Sequence, residues 1–136
     1  MKTLLSFVAI TSSVVLMSFG ISSNFTTPDQ GKWVAPASAK ELKNPHSGAE
    51  SVANGKSIYT TRCVVCHGAT GMGDGPAGKS LNPPAADHGS AAVQSQTDGE
   101  LFWKISEGRG AMVGWKLILS ENDRWDLVNY IRTLKR

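Results

Sequence analysis

The chain has 136 residues, of which 40% are apolar and 18% charged, and its formal net charge is +3. This length supports one small domain. No basic run or basic–aromatic stripe indicates nucleic-acid binding. No strand pattern occurs, so the sequence predicts an all-α fold.

Residues 1–23 are predicted to be a signal peptide or an N-terminal membrane anchor. Lys2 precedes an uncharged, largely apolar run over residues 4–21. This run is longer than an ordinary signal h-region and almost long enough to span a bilayer. Cleavage after the run and an uncleaved helix are the two alternatives, and both predict a domain outside the cytoplasm.

Residues 24–44 are predicted to be an extended tether, because proline, glycine and small polar residues are frequent there. The bulky side chain of Trp33 lies within it and could dock on the folded domain, on a partner or at a membrane interface. The folded domain is then predicted to occupy residues 45–136.

The first helix of this domain is predicted to end at about Arg62 and to be capped by Ser47 or Ser51. Four residues recur at helical spacing and share one face: Val52, Gly55, Ile58 and Tyr59. A glycine inside a helix costs about 1 kcal/mol relative to alanine, so a close packing contact is expected at Gly55.

The two cysteines of the chain lie in the motif Cys63-Val64-Val65-Cys66-His67. Each thiol can add across a vinyl group of haem and the histidine can ligate the iron, so C-x-x-C-H indicates covalent c-type haem attachment. A redox dithiol would need a thioredoxin-like frame, and a zinc site would need a second pair of ligands. A disulfide would leave the histidine unexplained. The motif therefore predicts one haem c, bound through Cys63 and Cys66, with His67 on the iron.

Glycines and prolines predict a long loop without regular structure from Gly68 to about Gln96. A loop of this length is unusual in a compact domain unless it wraps around a cofactor. His88 lies in this loop and is predicted to be exposed, with a role as second axial ligand as the alternative.

Two further helices are predicted downstream. The capping box Thr97-Asp98-Gly99-Glu100 begins a helix that continues to about Glu107 and is closed by Gly108. Its apolar residues are Leu101 and Ile105 on the inner stripe and Phe102 or Trp103 on the flank. Ser120 is predicted to cap the last helix. The apolar side of that helix consists of Trp125, Leu127, Val128, Ile131 and Leu134.

Met112 lies in the glycine-containing turn between these two helices. Such a segment can bend toward an iron held by His67, and a thioether opposite a histidine raises the reduction potential, which suits an electron carrier. Met1 and Met17 belong to the N-terminal segment, and Met72 is too close to His67 along the chain. Met112 is therefore predicted to be the second axial ligand, with a buried core methionine as the alternative.

Four blocks of the sequence resemble a class I (single-haem) cytochrome c over roughly residues 44–136. These blocks are residues 55–59, 63–68, 73–78 and 120–134. The resemblance implies a cytochrome c fold, in which three main helices and long loops wrap around one covalently bound haem. It also implies that the first helix crosses the last one at Gly55 and Tyr59.

The resemblance adds two expectations about the haem pocket. A proline carbonyl, from Pro83 or Pro84, is expected to accept the free N–H of His67, and such a bond raises ligand basicity. Val113 stands where the family usually has proline, so the methionine loop is expected to be looser. Independently of the resemblance, Trp115 is expected to pack either on the haem edge or in the core.

With both axial positions filled, the resemblance implies a one-electron carrier in a respiratory or related chain, and not an enzyme. Its partners would be a redox donor and acceptor, met transiently or within a membrane complex. The alternatives are a haem subunit fixed in such a complex and a five-coordinate, ligand-binding or peroxidase-like protein. The expected location is the periplasm, with anchoring to the inner membrane through residues 4–21 if they are not cleaved.

Overall fold

The computed structural model describes residues 32–136, and this part of the chain folds into helices joined by long loops. The elements in chain order are α1 (Ala37–Lys40), α2 (Ala49–Arg62), α3 (Val64–His67), a 3₁₀ turn (Gly78–Ser80), α4 (Ala91–Gln94), α5 (Asp98–Glu107) and α6 (Glu121–Thr133). Across these residues no strand forms, and the one β-bridge joins Arg109 and Met112. The predicted all-α fold with three main helices, α2, α5 and α6, is confirmed.

The predicted signal peptide or anchor, residues 1–23, and the first part of the predicted tether lie outside the described residues. Within residues 32–136, none of the helices combines the length and the apolar character that crossing a bilayer requires.

The described part of the predicted tether packs on the domain. It contains the short helix α1, and both Ala35 and Ala39 are buried. The Ala39 carbonyl lies so close to Gly99 in α5 that a Cβ at position 99 would be 1.9 Å from it. The small residues that suggested a loose tether are equally suited to close packing, and they serve that purpose here. The domain boundary at residue 45 stays a prediction.

The beginning of α2 differs from the prediction. Gly48, with φ of 95°, occupies the N-cap position, and no side chain caps the helix. The proposed caps Ser47 and Ser51 are therefore wrong. Ser51 is buried instead, where its hydroxyl donates to a carboxylate oxygen of Asp126 in α6. The Ser51 side chain thus binds Asp126 of α6 and does not cap α2.

The crossing of α2 and α6 forms the centre of the core. At the crossing, a Cβ on Gly55 would lie 2.0 Å from the Asp126 carbonyl oxygen. Tyr59, one turn further along α2, is completely buried and its ring lies 5.0 Å from that of Tyr130. Only a glycine allows the backbones to approach this closely, so the expected packing contact at Gly55 is confirmed.

The helix α5 packs beside this crossing. Its predicted inner residues, Leu101 and Ile105, are buried. Phe102 is buried as well and stacks on Trp125 of α6, with ring centroids 3.9 Å apart. Trp103 is only half-buried. Phe102 is thus the flanking residue that faces the core.

Both predicted caps of α5 and α6 are present. Thr97 and Glu100 form a capping box at α5, and Ser120 and Asp123 form one at α6. Gly108 ends α5 with φ of 67°, as expected for a glycine at a helix end.

We expect the Ser120→Ala substitution to destabilise the protein by about 1 kcal/mol, because the Ser120 hydroxyl accepts a hydrogen bond from the Asp123 N–H at 3.1 Å. The same hydroxyl donates to the Asp123 carboxylate and holds the pKa of that carboxyl below its usual value. The contribution of this carboxylate should therefore be present at neutral pH and disappear as the pH falls through its lowered pKa.

Urea unfolding of the Ser120→Ala variant at neutral and acidic pH measures both effects. The exposed neighbour Asn122, changed to alanine, is the control and should alter the free energy of unfolding by less than about 0.5 kcal/mol. Equal unfolding midpoints for the two variants would contradict the assigned role of the cap.

The predicted loop from Gly68 to Gln96 is only partly correct. It contains the 3₁₀ turn and the short helix α4, which begins after Ser90. The residues of α4 include neither glycine nor proline, and Val93 is buried in the core. Burial of this side chain favours a helical turn within a segment whose composition otherwise indicates a loop.

Candidate haem site

The haem-binding motif lies on one compact turn directly after α2. Cys63 is the C-cap residue of α2, and α3 contains Cys66 and His67. The His67 N–H donates to the Cys63 carbonyl at 2.9 Å, which closes the turn. Both thiols are partly buried and His67 is buried. The motif is thus a rigid unit whose three functional side chains come from one helical turn.

The glycine-rich loop binds the carbonyl end of this turn. The N–H of Gly73 donates to the His67 carbonyl at 2.8 Å, and that of Gly75 donates to the Cys66 carbonyl at 3.2 Å. A Cβ on Gly78 would lie 1.9 Å from the same Cys66 oxygen. Carbonyl groups at a helix end need such partners. The sequence indicated a loop here but gave no signal that it would contact α3.

The ring of His67 is oriented by a hydrogen bond from Nδ1 to the carbonyl oxygen of Ala86, 2.9 Å away. A carbonyl can only accept, so Nδ1 carries the proton and Nε2 is left with its lone pair. The prediction that Pro83 or Pro84 provides this carbonyl is wrong. The loop instead places the carbonyl of Ala86, two residues after Pro84, against the ring. Burial lowers the pKa of His67, although the Ala86 bond acts in the opposite direction, and the neutral form can bind a metal.

His88 is buried, with 9% of its surface exposed, so its predicted exposure is wrong. Its ring stacks on that of His67, with centroids 4.0 Å apart and an interplanar angle of 20°. Its Nδ1 lies 3.1 Å from the hydroxyl of Tyr59. Burial and the neighbouring His67 lower the pKa of His88 to about 3. Because it stacks on His67, it lies on the His67 side of the cavity, which argues against the alternative role as second axial ligand.

Met112 lies at the end of a tight turn that follows α5. The N–H groups of Arg109 and Met112 each donate to the other residue's carbonyl, both at 3.0 Å. After the turn, the N–H of Trp115 donates to the Ile105 carbonyl at 3.0 Å, which ties the segment back to α5. The backbone of Met112 is therefore held between two anchored points.

Val113 and Trp115 follow Met112 closely in the chain. Val113 has 53% of its surface exposed. Trp115 is partly buried and packs against the core cluster, and it is not among the residues that line the cavity described below. Of its two predicted positions, the structure therefore favours the core.

His67 and Met112 line the same cavity, which has a volume of about 390 Å³. Cys66 and His88 also contribute to its wall. Apolar side chains provide much of the remaining surface, among them Leu81, Val93, Leu101, Ile105 and Ile131. The volume is in the range of cofactor sites, which are mostly apolar with a few polar groups that fix orientation.

The donor atoms in and beside this cavity fit a haem and do not fit the rival sites. Burial and the neighbouring Cys66 raise the pKa of Cys63 to about 12, whereas a redox dithiol needs a low-pKa thiolate. In the part of the chain that the structure describes, no three His, Cys, Asp or Glu side chains come together as a metal site. An imidazole nitrogen and a thioether sulfur on one apolar cavity are the donor types of haem iron.

A helical domain with a C-x-x-C-H turn on the wall of an apolar cavity defines a protein that carries covalently attached haem. The family model of cytochrome c matches residues 52–135, which is more than half of the chain. The chain belongs to the cytochrome c family. Haem c is attached through Cys63 and Cys66, and the function of the domain is haem-based electron transfer.

Several known proteins are similar to this chain. A thiosulfate dehydrogenase of Stutzerimonas stutzeri (strain A1501) is 30% identical over 102 residues, which make up 71% of this chain and 31% of that protein. The chain therefore spans less than a third of the length of this relative.

Two solved structures share the fold. The Kuenenia stuttgartiensis reducing HAO-like protein complex Kustc0457/Kustc0458 has a TM-score of 0.61 at 21% identity, over 70% of this chain and 50% of that one. The c-type cytochrome KustC0563 has a TM-score of 0.55 at 27% identity, over 60% of this chain and 98% of that one. Together with the family match, they confirm the cytochrome c fold.

Proposed function

We propose that the protein is a one-electron carrier with a single haem c, whose iron is ligated by His67 and Met112. The observation that carries this proposal is that the two side chains line one apolar cavity. When bound, haem c supplies a one-electron couple whose potential depends on the axial ligands and on the surrounding dielectric.

The protein itself orients His67 for this role. The Ala86 carbonyl engages Nδ1, which leaves Nε2 as the donor atom, and the stacked ring of His88 limits rotation of the imidazole. An oriented imidazole of this kind is a better ligand than a free one.

Met112 would supply the second donor atom. Its thioether is a soft, neutral ligand that favours the reduced iron, and the Arg109 pair fixes the backbone from which it extends. If His67 and Met112 both hold the iron, the protein would leave no coordination site open for a substrate. Outer-sphere electron transfer is the chemistry that such a site supports.

The predicted extracytoplasmic location is part of the proposal. It is supported by the apolar run over residues 4–21 and by the lysine before it. The donor and the acceptor would be redox proteins, met transiently or within a membrane complex.

A second arrangement is favoured by the comparison with a longer relative. The matched residues make up 31% of a thiosulfate dehydrogenase, so a segment similar to this chain occurs within a longer dehydrogenase. The protein could thus be an electron-transfer subunit fixed in a larger complex. Fractionation of native cells separates the two cases: a mobile carrier should be recovered as a free monomer, and a fixed subunit should remain with membranes and partner chains.

Carbon monoxide added to the reduced protein at neutral pH tests the proposed ligand set. We expect no rapid spectral change, because Met112 occupies the position that the gas would need. A potentiometric titration should follow a one-electron couple, with about 59 mV per tenfold change in ratio. Rapid binding of carbon monoxide would instead favour the five-coordinate, ligand-binding alternative.

A further inference from the structure

The segment that precedes the family domain reaches into the haem cavity. Trp33 is part of the cavity wall, although it lies outside the residues 52–135 that match the family. Its ring is half-buried, and its centroid lies 6.3 Å from that of Trp103 in α5. One wall of the cavity therefore comes from a part of the chain that the family match does not include.

Two cationic side chains hold this ring. Cζ of Arg109 lies 5.1 Å from the ring centroid of Trp33, and Nζ of Lys104 lies 5.3 Å from it. Both distances are within the range of cation–π attraction, which is strongest for tryptophan.

The position of Trp33 is itself fixed. Ala35 and Ala39, which follow it, have 4% and 2% of their surface exposed, and Ala39 contacts α5 at Gly99. Val34, which lies between Trp33 and Ala35, points outward with 64% of its surface exposed. The segment is thus anchored on α5 at Gly99 and places Trp33 at the cavity. The Met112 turn follows the same helix.

Arg109 connects this ring to the proposed ligand. It contacts Trp33 through its side chain and exchanges both backbone hydrogen bonds with Met112. We propose that Trp33 is a positioning residue, which holds the Arg109–Met112 turn against the cavity and slows the displacement of the Met112 sulfur by external ligands. The inference rests on the proposed ligation by Met112.

This role also bears on Val113, which stands where the family usually has proline. A proline would stiffen the chain at that position. In this protein, the Trp33 contact restrains the turn from the side of Arg109 instead.

The test compares Trp33→Ala with Val34→Ala in the full-length, haem-loaded protein. The probe is imidazole added to the ferric form, followed by stopped-flow absorption. We expect imidazole to bind roughly tenfold faster to Trp33→Ala than to the wild type, the size expected from the loss of one or two cation–π contacts. Val34→Ala should behave as the wild type, and Trp33→Phe should recover part of the protection.

Ser120→Ala controls for general destabilisation, because Ser120 caps α6 and its hydrogen bonds do not involve the turn. Equal acceleration in Ser120→Ala and Trp33→Ala would overturn the positioning role. Unchanged binding in Trp33→Ala would also overturn it. If Met112→Ala retains the ferric sulfur–iron band, the proposed ligand set itself fails, so the two failures are distinguishable.

Discussion

The Met112→Ala variant is expected to keep its covalently bound haem and to lose the second axial ligand that we propose for it. Its ferric form should lack the sulfur–iron charge-transfer band, and its ferrous form should bind carbon monoxide rapidly. The reduction potential should fall by on the order of 100 mV or more, because axial ligands shift haem potentials over about 0.8 V and a thioether stabilises the reduced state. Absorption spectroscopy and potentiometry measure these changes.

Met72→Ala is the matched control. Met72 has 50% of its surface exposed and lies in the loop five residues after His67. Its replacement should leave the spectrum and the potential unchanged. If the band survives in Met112→Ala and disappears in Met72→Ala, the assignment of the two methionines is reversed.

The second large effect is expected on stability, for the Gly55→Ala variant. An added Cβ would lie 2.0 Å from the carbonyl oxygen of Asp126 and 3.0 Å from Cβ of Tyr130. The obstacle is backbone, so α2 and α6 must separate to admit it. Overpacking typically costs 1–3 kcal/mol, and the better helix propensity of alanine returns only about 1 kcal/mol. Because a backbone atom is the obstacle, the cost should lie near the upper end of this range, and we expect a net loss of up to about 2 kcal/mol in guanidinium unfolding of the haem-loaded protein.

Ser57→Ala, on the exposed side of the same helix, is the control for helix propensity. It should leave the protein unchanged or slightly more stable. A gain of stability in Gly55→Ala similar to that in Ser57→Ala would show that the two helices do not cross in close contact.

The correct predictions depend on residues that are close together in the chain. The predicted capping residues Thr97 and Ser120 each pair with a residue three positions away, and the haem motif spans five positions. Such local patterns are predictable from sequence, because a helical turn fixes the distance between their residues. The helix crossing at Gly55 was expected from the family resemblance together with the cost of a glycine inside a helix.

The wrong predictions concern residues whose partners are distant in the chain. Ala86 meets His67 across 19 positions, and His88 meets Tyr59 across 29. Ser51 does not cap α2 because its hydroxyl binds the carboxylate of Asp126, 75 positions away. Nothing in the local sequence encodes the path of the loop that creates these contacts, and glycines and prolines indicate only that the path is irregular.

The contacts between the glycine-rich loop and α3 have a consequence for protein engineering. The cysteine–histidine turn ends in carbonyl groups that the loop satisfies, and its imidazole is oriented by Ala86 at the far end of the same stretch. A graft of the five-residue motif alone into another scaffold would carry unsatisfied carbonyls and an unsupported ring. A graft would therefore need residues 63–88 together, and a side chain at position 78 would collide with the Cys66 carbonyl.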